Sequence, residues 1–150
     1  MKLNKIFFIL FLLFIWSCSE PTQSDETDYG TVDIYDVWKQ NTPLEEDENG
    51  YFHFNYPDNT ENNPSDYGTL KYVTEIPVSR VFWSSPDSFT IYHMGISVTE
   101  PVINYSTYSG SDGYGQQLFY VYPPHIGDTL TLYGHLSSSS YDSVLVIIDE

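Results

Sequence analysis

Cysteine is almost absent: the chain has one, Cys18. No intramolecular disulfide can form, and a zinc or iron–sulfur site built on several thiolates is excluded. Basic residues are scarce too, with 5 Lys and Arg against 21 Asp and Glu and a formal net charge of −16. That balance argues against a nucleic-acid partner, because phosphate binding needs Lys and Arg to displace counterions. Long apolar runs are also lacking. The longest spans residues 6–16, only 11 residues, where a membrane-spanning helix needs roughly 20.

Catalytic signatures are missing as well. The four histidines, His53, His93, His125 and His135, show no HxH or HExxH spacing. There is no GxSxG elbow, Walker loop or GxGxxG. Paired carboxylates mean little in so acidic a chain. The run Glu45-Glu46-Asp47-Glu48 invites calcium, but it lacks the alternating ligands of an EF-hand loop. It reads as a solvated turn that Asn49-Gly50 closes. No metal, cofactor or catalytic residue is assigned on these grounds.

What the chain does have begins at its amino terminus. Lys2 and Lys5 precede the apolar run, and Ile15-Trp16-Ser17-Cys18 follows at its end. Charge, length and flank fit a secretory signal peptide. Ile15, Ser17 and Cys18 resemble the lipobox of bacterial lipoproteins, with Trp16 standing where that family has a small or modest residue. The resemblance implies removal of residues 1–17, a thioether-linked lipid on Cys18 and acylation of the new terminus. It implies a protein held by lipid in the bacterial cell envelope, the outer membrane being favoured over the inner. Several acyl chains on one residue anchor stably, at about 0.8 kcal/mol per buried CH₂. Loss of Lys2 and Lys5 would take the net charge from −16 to −18, so anionic headgroups would repel the body. Residues 18–30 are small, polar and acidic, and read as a disordered tether.

Residues 31–150 then read as one all-β domain. Aromatic residues make up 17% of the chain, too many for a disordered one. About eight short segments alternate apolar with polar residues and are separated by Gly, Pro, Asn, Asp or Ser. The pattern predicts an Ig-like sandwich of antiparallel strands without the Ig disulfide. Leu118, Tyr120 and Tyr122 share one parity of a strand, as do Val144, Val146 and Ile148. Residues 31–40 are ambiguous. Ile34, Val37 and Trp38 fall at helical spacing, while Val32, Ile34 and the Tyr35/Val37 pair fit a strand equally; the balance tips slightly to a short helix or irregular segment that packs Trp38 on the body. Residues 56–68 carry Pro57 and Pro64 among Asn and Asp, and read as a long loop. Residues 106–113, rich in Ser and Gly, read as a flexible loop.

Trp38, Trp83 and 14 tyrosines offer rings for stacking on a glycan, or else fill the core. Asp128-Thr129-Leu130 and Asp142-Ser143-Val144 resemble the Asp-Ser/Thr-aliphatic sites that some bacteria O-glycosylate, which would place glycans on Thr129 and Ser143. The reading that emerges is a lipid-anchored envelope protein without catalytic role, a structural or protein-interaction module. A carbohydrate-binding module using exposed Trp and Tyr is the second reading, and an envelope hydrolase the third. Intact mass of the membrane-extracted protein should match residues 18–150 plus a diacylglyceryl and an acyl group. The Cys18→Ala variant should lose that added mass. An unlipidated wild type would remove the anchor from the account.

Overall fold

The computed structural model describes residues 28–56, 66–93 and 95–150. The signal peptide, Cys18, most of the tether and most of the loop before Asp66 lie outside the described residues. Eleven strands follow in order: β1 Val32–Lys39, β2 Thr42–Pro43, β3 Tyr51–Asn55, β4 Asp66–Thr74, β5 Arg80–Ser84, β6 Ser88–His93, β7 Ile96–Pro101, β8 Ser106–Tyr108, β9 Tyr114–Val121, β10 Thr129–His135 and β11 Tyr141–Asp149. Among the described residues the only helical element is a 3-10 turn at Pro123–His125. The fold is all-β and sandwich-like.

One sheet has the order β2-β1-β4-β9 and the other β3-β11-β10-β5-β8. Strands β6 and β7 form a separate hairpin. Apolar residues at every second position of β4, β10 and β11 point inward and meet as one core. Leu70, Tyr72, Phe119 and Val121 line the first sheet; Phe54, Leu132, Val146 and Ile148 line the second. Most pairings are antiparallel, as expected. The exception is β3, which runs parallel to β11 and pairs Val146 with Phe52. Of the apolar run 144–148, Val144, Val146 and Ile148 face the core, while Leu145 and Ile147 are half-buried on the outer face. β11 is an interior strand, with β3 on one side and β10 on the other.

Residues 31–40 are a strand, not a helix. The register with β4 shifts between Ile34 and Asp36, so Tyr35 is an inserted residue. Such a bulge puts an extra residue into one strand and resets its parity. Val32, Ile34 and Val37 therefore all face inward, and the spacing from Ile34 to Val37 imitates a helical period. Residues 106–108 likewise form β8 at a sheet edge instead of a loop. In β9 the buried side chains are Gln117, Phe119 and Val121, while Leu118 is exposed. Gly68 sits opposite Phe119 in this sheet, and a Cβ there would fall 2.1 Å from the Phe119 ring.

The two sheets are joined at one point by three side chains. Tyr72 of β4 and Trp83 of β5 meet edge to face, with centroids 5.1 Å apart. Trp83 Nε1 donates to Thr107 Oγ1 at 2.8 Å, and Tyr72 Oη lies 3.0 Å from the same oxygen. One hydroxyl on β8 thus satisfies the polar ends of two core aromatics. Burial pushes the Tyr72 phenol above its ordinary pKa, and the Thr107 hydrogen bond partly offsets this. Glycines make room for both rings. A Cβ on Gly115 would lie 2.3 Å from Tyr72, and one on Gly134 2.9 Å from Trp83. Thr107→Val keeps the shape and orphans both groups. It should lower stability by about 1–3 kcal/mol, read as a lower urea midpoint at unchanged slope. Thr107→Ser should recover most of the loss.

Candidate functional site: an aromatic face on the five-stranded sheet

Alternation along a strand sends every second side chain outward. Because Val81, Trp83, Leu130, Leu132 and Gly134 face the core, Arg80, Phe82, Ser84, Tyr133 and His135 face solvent. Register lines them up. Tyr141 of β11 pairs with His135, His135 with Phe82, and Phe82 with Ser106 of β8. This row crosses four strands, about 14 Å at roughly 4.8 Å per strand. The neighbouring rows hold Ser143, Tyr133 and Ser84 on one side, Arg80 and Tyr108 on the other.

The rings meet in two groups on this face, one of Tyr133, His135 and Tyr141 and one of Phe82 and Tyr105. His135 stacks on Tyr133 with centroids 5.8 Å apart and lies 5.7 Å from Tyr141. Phe82 meets Tyr105 edge to face at 5.7 Å. Tyr105, Tyr108 and Tyr141 are each more than half exposed. The Arg80 guanidinium lies 4.7 Å from the Phe82 centroid and 5.9 Å from that of Tyr108. Its Nε and Nη2 donate to Ser106 Oγ at 3.2 and 3.1 Å. Among the described residues no carboxylate reaches it. The outward positions of β5, β8 and β10 carry no Asp or Glu.

The residues singled out in the sequence are scattered about this site. Trp83 is 4% exposed and belongs to the core junction, so it presents no face to a sugar. Trp38 is half-buried on the other sheet. Its indole N–H donates to Asp36, and the Lys71 ammonium sits 5.2 Å from its ring, so one face is already covered. The expectation of a tryptophan platform is therefore corrected: the exposed rings of this face are Tyr105, Tyr108 and Tyr141, with Phe82 and His135 half-buried between them. Thr129 and Ser143 are exposed at the ends of β10 and β11, but separated by the length of the strand pair. Cys18 lies outside the described residues.

The histidines whose side chains are described do not converge. His125 is buried in the 3-10 turn, and its Nδ1 accepts the Tyr122 N–H at 3.2 Å. His135 Nε2 lies 3.0 Å from Ser84 Oγ. A nucleophile and base pair of that kind needs a third group to orient the imidazole, and the described residues place none there. Among the described residues no group of three or more His, Cys, Asp or Glu side chains is arranged to hold a metal. In the acidic run, Asp47 organises the turn: its carboxylate accepts the N–H of Asn49 at 2.8 Å and of Tyr51 at 2.9 Å.

The chain matches no known family model, and comparison with curated proteins finds no relative.

His53, on β3, stands between two carboxylates. Nδ1 lies 2.9 Å from Asp149 and Nε2 3.5 Å from Asp47. The Asp149 hydrogen bond foremost raises its pKa above the ordinary 6.5. Backbone donation from Tyr51 foremost lowers that of Asp47 below 3.8. Since the folded imidazole holds its proton more tightly, the His53 contribution is full below about pH 6.5 and fades as pH rises through the folded value. The Asp47 contribution is present above its unfolded pKa and lost as pH falls through the depressed one. His53→Gln should therefore lower Tm more at pH 5.5 than at pH 8.5. An equal drop at both would refute the charged pairing.

Proposed function

We propose that the protein is a lipid-anchored envelope lipoprotein that acts as a non-enzymatic binding module through the outer face of its five-stranded sheet. The lipobox-like Ile15-Trp16-Ser17-Cys18 supports the anchor. The acidic tether and the net charge of −16 suit a body that stands off an anionic membrane. The observation that carries the binding role is the outward-facing row Tyr141, His135 and Phe82, flanked by Tyr105, Tyr108 and Arg80, in which Tyr105, Tyr108 and Tyr141 are exposed and His135 and Phe82 half-buried. Rings of this kind are the side chains that dominate binding energy at contact surfaces, and an exposed cluster of them marks a contact site more often than chance.

The test is oxidative footprinting on living cells beside the protein purified in detergent. Tyr105, Tyr108 and Tyr141 should be labelled in the purified protein and protected in the envelope. Tyr35 and Tyr114, exposed on the opposite sheet, should label alike in both. Equal labelling of all five would exclude this face as the contact surface.

A further inference from the structure

We infer that the aromatic face takes a carboxylate-bearing polysaccharide, its sugar rings lying along the row Tyr141–His135–Phe82 and a carboxylate of the chain meeting Arg80; this rests on the contact-face reading above. The charge distribution carries the inference. Acidic residues outnumber basic ones 21 to 5, yet the outward positions around Arg80 hold none. The other exposed aromatic pair shows what the chain does elsewhere. Tyr35 and Tyr114, 6.0 Å apart, sit close enough to Asp36 and Asp112 for those carboxylates to raise the Tyr35 pKa, after burial and Tyr114 itself. Tyr35 and Tyr114 have carboxylates as charged neighbours, whereas Phe82 and Tyr108 have the Arg80 guanidinium.

Arg80 is also set up for an anion. Lys39 is paired with Asp66 at 3.2 Å, and Lys71 donates to Gln116 at 2.7 Å. Arg80 spends Nε and one Nη2 hydrogen on Ser106 Oγ, and a guanidinium has five N–H donors. The end formed by Nη1 and the second Nη2 hydrogen remains. That is the fork that grips a carboxylate with two parallel hydrogen bonds. Phe82 and Tyr108 beside the guanidinium hold it in place, and the side chain stays exposed to solvent.

The form of the face selects a glycan over a peptide. An extended peptide adds to a sheet through free backbone groups at an edge; strands β10 and β5, which carry most of the row, are paired within the sheet, and the edge beside Arg80 is the three-residue β8. Protein hot spots fill desolvated pockets. Clefts among the described residues lie at the margins, between Lys39, Leu44 and His53, between Gly30 and residues 137–140 where Tyr141 forms one wall, and beside Asp142 and Ser143. What the face offers is rings with hydroxyls between them, from Ser84, Ser106 and Ser143. Sugar rings have apolar C–H faces and polar rims, and an aromatic face beside hydroxyls matches both.

The full chain in detergent at 0.15 M salt should bind polygalacturonate, alginate or hyaluronan, measured by calorimetry. Methyl esterification of the polymer that binds should weaken it about tenfold or more, and so should Arg80→Gln. Arg80→Lys should keep part of the affinity. Tyr141→Ala should weaken both acidic and esterified polymer, with the urea midpoint unchanged. Binding that is equal for both polymer forms and indifferent to Arg80→Gln, but lost in Tyr141→Ala, would overturn the acidic ligand and leave the contact face standing. Absence of binding to any of the polymers would overturn the glycan altogether. So would an Arg80-dependent dimer in sedimentation, which would make a second copy the occupant. Neither result touches the cell footprint, which decides the contact face by itself.

Discussion

The shared hydroxyl of Thr107 is the constraint on which the rest of the structure depends. It fixes Trp83 and Tyr72 as inward-facing and joins the two sheets at their aromatic centre. With no disulfide available, this junction and the apolar residues around it hold the sandwich closed. A strand's side-chain period is two, so fixing one residue fixes its neighbours. Trp83 inward puts Phe82 and Ser84 outward. Thr107 inward puts Ser106 and Tyr108 outward. Gly134 lies under the Trp83 ring, which sends Tyr133 and His135 outward. The exposed aromatic face is the other side of the core junction, and neither can shift by one residue without the other.

Charge is sorted on the same scaffold. Each of the three basic residues described lies over an aromatic ring: Lys39 over Phe54, Lys71 over Trp38, Arg80 over Phe82 and Tyr108. Lys39 also compensates Asp66, a carboxylate only 4% exposed, which would be costly to bury unpaired. A carboxylate of the second sheet does similar work between the layers, Asp142 accepting the Ile34 N–H at 2.7 Å. Others hold turns and side chains, as Asp47 does in its turn and Asp149 with His53. The acids leave the outward positions around Arg80 to rings and hydroxyls.

The all-β class was legible because alternation is strong in β3 and β10, where Phe52, Phe54, Leu130 and Leu132 face inward and Tyr51, His53, Thr131 and Tyr133 face outward. β1 was not, because the extra residue at Tyr35 breaks the period at the point where a short window reads it. β8 was hidden by its Ser and Gly neighbours and by its length of three residues. In β9 the inward face carries Gln117, buried at 1% exposure with its amide N–H bonded to the Leu118 carbonyl, and a buried Gln points a pattern argument to the wrong parity. The site was missed through the tryptophans. Their size drew attention, while the useful signal was the parity opposite Leu130 and Leu132, which holds Tyr133 and His135. The pairing of that row with Phe82 and Tyr141 depends on sheet order, which no local pattern encodes.

Acrylamide quenching of Trp83 alone tests the account most directly. In the chain carrying Trp16→Phe and Trp38→Phe, Trp83 is the one remaining indole. The account predicts blue-shifted emission and quenching far weaker than for free tryptophan, rising to the free value only on unfolding. Red-shifted emission with ready quenching in the folded protein would contradict it. Trp83 would then face outward, β5 would have the opposite parity, and the aromatic face around Arg80 would not exist.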